Sequence, residues 1–126
     1  MKRLGVLTIG QAPRSDVTPV LRPLLPGVEL VEAGALDPLT EEEIAALRPR
    51  AGETLLVTRL RDGREVQVAK ERLVPLLQER LAIFQRQGVP AVLLLCTGDF
   101  PALEYAGFLL APHRLLRAAV RAVAGE

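Results

Sequence analysis

The sequence predicts an α/β domain: an open, mostly parallel, three-layer sheet with an antiparallel hairpin insertion. Three observations point there. Short aliphatic runs alternate with stretches of helical periodicity. Apolar residues make up 49% of the chain and aromatics only 3%, so the core must be built from Leu, Val, Ala and Ile, as in strands buried on both faces. An Asp62-Gly63 pair separates two strand-like runs, the strongest short-range hairpin signal in the chain. The 126 residues suffice for one domain with a real core and not for two.

The elements follow in order. Leu4 to Ile9 is a short aliphatic run ending at Gly10 and reads as a first, buried strand. The polar loop Gln11 to Asp16 leads to a helix with Val17, Val20, Leu21 and Leu24 at helical spacing, capped by Ser15 or Asp16 and stopped by Pro26-Gly27. Val28 to Glu32 forms a second strand, and Gly34 to Leu39 a loop. Thr40-Glu41-Glu42-Glu43 has the form of a capping box for a helix that runs to Arg48, before Pro49. Thr54 to Leu60 and Arg64 to Val68 are the hairpin strands. Lys70 to Gln87 is the longest helix, with Leu73, Leu76, Leu77, Leu81 and Phe84 on one face and Gly88 behind it. Pro90 to Leu95 is the most apolar strand and belongs at the sheet centre. A short apolar stretch, Phe108 to Leu110, precedes Pro112, which opens a final helix from His113 to about Val123.

Charge and cysteine content narrow the function classes. Sixteen basic and 15 acidic residues leave a formal charge of +1, which gives no reason to expect a nucleic-acid or membrane partner. A single cysteine excludes an internal disulfide. The basic start has the charge of a signal peptide, but its apolar run is short and polar residues follow at once. No stretch approaches the roughly 20 apolar residues that span a bilayer. A cytoplasmic protein is expected.

Ligands of open parallel sheets collect beyond the carboxyl ends of the strands. Two polar loops, 10–16 and 96–99, fall at such ends and are expected to share one cleft. The first offers Gly10, Gln11 and the guanidinium of Arg14, a combination able to hold a carboxylate or phosphate. It lacks the repeated glycines of a dinucleotide or phosphate-binding loop. Its plainer reading is a capped turn with a solvated arginine. Cys96, with Thr97 and the Gly98 amide after it, has the makings of a nucleophile or a carbon-acid base. A lone Cys behind four aliphatic residues is more often a small buried hydrophobe. Arg59, Arg61 and Arg64 bracket the hairpin, where charged side chains discourage edge-to-edge pairing; the other reading turns Arg59 into the site. His113, the only histidine, reads as solvated, and no second His or Cys makes a metal site with it.

The same segments resemble the AroM family, proteins placed with the aspartate/glutamate racemase-like folds. The resemblance rests on 7–14 (Leu-Thr-Ile-Gly-Gln-Ala-Pro-Arg), 34–37 (Gly-Ala-Leu-Asp), 56–63 (Leu-Val-Thr-Arg-Leu-Arg-Asp-Gly) and 94–98 (Leu-Leu-Cys-Thr-Gly), in the family's order. It implies one half-domain of that fold, the N-terminal half of a family member. The wider group implies a cofactor-independent racemase- or isomerase-type enzyme with two thiols, one from each half. Cys96-Thr97 stands where the first thiol motif would, without the Asn that follows the Cys there. The expected functions are therefore binding of a small carboxylate or phosphate, catalysis through Cys96 with a second half-site from another chain, or partner binding without a ligand. A homodimer is expected, because the missing half would have covered aliphatic surface.

Overall fold

The computed structural model describes residues 2–96 and 98–112. Four strands, β1 (Lys2–Thr8), β2 (Val28–Gly34), β5 (Ala91–Leu95) and β6 (Phe108–Leu110), form one parallel sheet in the order β2-β1-β5-β6. A separate antiparallel pair, β3 (Leu55–Arg59) and β4 (Glu65–Ala69), closes around Asp62-Gly63 as expected. The helices are α1 (Thr18–Leu21), α2 (Glu41–Ala45) and α3 (Lys70–Arg86). None of the described helices is long and apolar enough to cross a membrane.

One face of the sheet carries the main core. Leu7 of β1 and Val92 and Leu94 of β5 are fully buried against Leu73, Leu77, Leu81 and Phe84 of α3. Each such side chain contributes roughly 1.5–3 kcal/mol relative to exposure. This aliphatic layer between α3 and the two inner strands therefore dominates the fold's stability.

Three expectations need correction. The helix after the first loop has only four residues, followed by a 3-10 turn at Arg22–Leu24. Val20 and Leu24 are 62% and 70% exposed, so the apolar spacing does not mark a core face. Pro19 and Pro23 each remove a backbone donor, and Pro23 stops the α-helix from continuing. Val17 precedes it with no side-chain cap, because Asp16 bonds elsewhere. The second correction is α2, which has its capping box between Thr40 and Glu43 but leaves α geometry after Ala45. Two turn bonds, Leu47 to Ile44 and Arg48 to Ala45, extend it, while the Arg72 guanidinium donates to the carbonyls of Ala46 and Arg48. The third is the stretch 108–110, which is the edge strand β6. Three residues carry too little periodicity to show this, and the Phe108 N–H bond to the Pro90 carbonyl seats the strand beside β5. The terminal helix expected from His113 lies outside the described residues, as does His113.

The strand order locates a crevice. From β1 the chain moves outward to β2 on one side; from β5 it moves outward to β6 on the other. The loops leaving β1 and β5 therefore diverge, and the space between the carboxyl ends of these adjacent strands is where open parallel sheets hold ligands.

Candidate functional site

The loop after β1 is held from two sides by backbone that comes unusually close. Gly10 packs so tightly on the hairpin that a Cβ there would lie 2.6 Å from Thr58 Oγ1 and closer still to the Arg59 carbonyl oxygen. Gly34 is equally crowded, since a Cβ would stand 2.8 Å from both the Ala12 nitrogen and Asp37 Oδ1. Glycine at both positions lets three chain segments meet.

Hydrogen bonds complete the junction. Gln11 N–H donates to the Arg59 carbonyl at 3.1 Å, and Gln11 Oε1 accepts from Arg61 N–H at 3.1 Å. Asp37 accepts from Ala12 N–H at 2.8 Å and Gly34 N–H at 2.7 Å. Arg61 Nε donates to the Ala12 carbonyl, and its Nη2 lies 3.4 Å from Asp37. Arg61 is thus a latch between hairpin and loop, rather than the solvated edge charge that its place in the sequence implies. Asp37 is the other half of that latch.

The junction aims Arg14. Its N–H donates to Glu32 Oε1 at 3.0 Å, and the same oxygen accepts from the buried Thr18 hydroxyl at 2.6 Å. The guanidinium then grips Asp16 at two points, Nε to Oδ1 and Nη2 to Oδ2, both at 2.8 Å. Nη1 reaches Thr8 Oγ1 at 3.3 Å. The hydrogen bonds from Arg14 hold the Asp16 carboxyl down to about 2, and the same pairing raises the Arg14 guanidinium above its ordinary value. Arg59 Nη1 approaches Asp16 Oδ2 from the other side at 3.8 Å. The Arg14 side chain is 19% exposed and that of Arg59 48%, so Arg59 is the more available cation.

Between β1, β5 and the hairpin opens a cleft of about 280 Å³, lined by Ile9, Arg14, Val57, Thr58, Arg59, Glu65, Leu95 and Cys96. It contains residues from both loops, so Arg14 and Cys96 do share one cleft. A smaller hollow of about 120 Å³, which includes Asp16, adjoins the same two arginines. Cys96 is a half-buried free thiol, and Gly98 N–H donates to its sulfur at 3.3 Å. Thr58 is 6% exposed, and its hydroxyl has no hydrogen-bond partner among the described residues. Among the described residues no group of three His, Cys, Asp or Glu side chains could hold a metal ion.

Of the residues singled out in the sequence, Arg14, Arg59 and Cys96 line the cleft. Gly10 and Gln11 stand behind it and fasten the loop to the hairpin. Gly98 sits against the thiol, and Thr97 lies outside the described residues. Sequence reasoning missed Asp16, taken as a helix cap, and also Thr58 and Glu65. Glu65 was not findable from the Asp62-Gly63 pair alone: a two-residue turn there would set Arg59 opposite Val66, whereas the chain closes a three-residue loop between Leu60 and Arg64 and so sets Arg59 opposite Glu65.

Fold and cleft together define an α/β domain whose polar loops flank a cleft at the switch point of a parallel sheet. Comparison with known families goes further: the family described as AroM protein matches residues 4–126. The chain belongs to the AroM family. No curated protein and no solved structure matches it.

Proposed function

We propose that the chain binds a small carboxylate or phosphate ligand in the cleft at the strand ends, with Arg59 as the leading cation and Arg14 beside it. The observation that carries this reading is that both guanidinium groups converge on one carboxylate, that of Asp16. This pairing supports the reading, since a ligand carboxylate can be held by contacts of the same kind. The unpaired Thr58 hydroxyl in the cleft wall adds support, since a buried polar group without a partner costs about 1–3 kcal/mol. Titration calorimetry with acetate, oxalate and inorganic phosphate tests the reading. Heat of binding is expected from at least one. A charged hydrogen bond contributes about 1.5–3 kcal/mol, so Arg59→Ala weakens that binding roughly ten- to a hundredfold. Identical titrations for both proteins exclude Arg59 as the anchor.

Cys96 in the wall of the same cleft favours a second reading, a cofactor-independent racemase- or isomerase-type centre like that of Asp/Glu racemase-like proteins. Deprotonating one face of a carbon and reprotonating the other calls for two groups on opposite sides. In this reading a second copy of the chain, in a cytoplasmic homodimer, supplies the other. Exchange of the α-proton of aspartate or glutamate with solvent deuterium, lost in Cys96→Ala, is its signature. A monomer by light scattering at high micromolar concentration removes the shared-site version.

A further inference from the structure

We propose that the cleft selects ligands carrying a single negative charge, and that Glu65 sets this limit. The inference rests on the binding reading above and narrows it. Ile9, Val57 and Leu95 are the aliphatic part of the cleft's lining, and its charged groups are Arg14, Arg59 and Glu65. The charges of those positions can be counted. Arg14 is already matched by Asp16 through both of its 2.8 Å contacts. That leaves Arg59, whose nearest carboxylate oxygen is 3.8 Å away and already shared.

Directly across the hairpin ladder from Arg59 stands Glu65, which lines the same cleft and enters no ion pair among the described residues. Side chains opposed in this way have Cβ atoms about 4.5–5.5 Å apart, well inside the roughly 8–10 Å over which salt screens exposed charges. A ligand carboxylate on Arg59 therefore fits. A second negative charge on the same ligand meets no further unmatched cation among the described residues that line the cleft, and it faces Glu65. Glu65 acts as a specificity residue by repulsion, in the way that binding sites commonly discriminate against a near relative of the ligand.

The test is titration of isovalerate, succinate and inorganic phosphate, at pH 8, into the wild-type protein and Glu65→Gln. Glu65 is exposed, and equal denaturant midpoints will show that the variant folds as the parent does. The expected result is wild-type binding of isovalerate at least tenfold tighter than succinate or phosphate. In Glu65→Gln, succinate and phosphate gain about tenfold while isovalerate stays within threefold. Succinate or phosphate binding the wild type as tightly as isovalerate overturns the inference, as does an unchanged ratio in the variant; both leave the binding reading intact. Failure of all three to bind the wild type overturns the binding reading and this inference with it.

Discussion

Arg14 and Asp16, two residues apart in the chain, face each other with both polar edges: Nε to Oδ1 and Nη2 to Oδ2 are each 2.8 Å. The pairing orients Arg14, and its remaining nitrogen is held by Thr8. It also gives the site an internal carboxylate whose titration reports on its integrity.

That titration is the first prediction. The carboxyl of Asp16 is lowered from 3.8 to about 2, so the stability it contributes is complete above about 4 and is lost as pH falls through about 2. Carbon-detected NMR of the Asp16 carboxyl is expected to show a midpoint near the lower value. In Arg14→Ala the midpoint returns toward the ordinary carboxylate range. A wild-type midpoint close to 4 means that the pair does not persist in solution.

Gly10→Ala tests the junction behind the site. The added methyl meets Thr58 Oγ1 and the Arg59 carbonyl, and one of its neighbours is backbone, which cannot swing aside. Overpacking of this kind costs about 1–3 kcal/mol. A lowered denaturant midpoint with an unchanged slope is expected; a neutral substitution means that the hairpin is not seated on the loop.

Asp37→Ala removes the acceptor for two backbone amides at once, those of Ala12 and Gly34. Hydrogen bonds to charged groups contribute about 1.5–3 kcal/mol each, with water recovering part of this at a half-exposed position. Amide exchange is the sharper readout. Exchange at Ala12 and Gly34 should quicken markedly while Val92, in the buried centre of the sheet, changes little.

Thr58→Val bears on the unpaired hydroxyl. Because Oγ1 has no hydrogen-bond partner among the described residues, its replacement by a methyl group removes a desolvation cost without breaking a bond. Equilibrium unfolding should find stability unchanged or raised by about 1 kcal/mol. A loss above about 1 kcal/mol shows that the hydroxyl is paired in solution.

Local signals in the sequence determined the elements whose causes are local. Asp62-Gly63 specified the hairpin, Thr40 and Glu43 the start of α2, and the leucines from Leu73 to Leu81 the buried face of α3. The inner position of β5 was readable from its unbroken aliphatic run. The recurrence of four short motifs was readable too, and pointed to the AroM family. Their purpose was not. Only the folded chain shows that Gly10, Gln11, Gly34, Asp37, Arg59 and Arg61, drawn from three of these motifs, meet at one junction. The same holds for Val20 and Leu24, whose helical spacing implied burial that Pro23 and the path of the chain deny them. Tertiary structure also decided the partners of charge. Arg61 reads as a surface residue yet latches the loop, while Arg59 lies half-exposed over the cleft. A guanidinium reaches several ångströms along a flexible stem, so its partner is chosen by what the fold brings within reach and not by its neighbours in sequence.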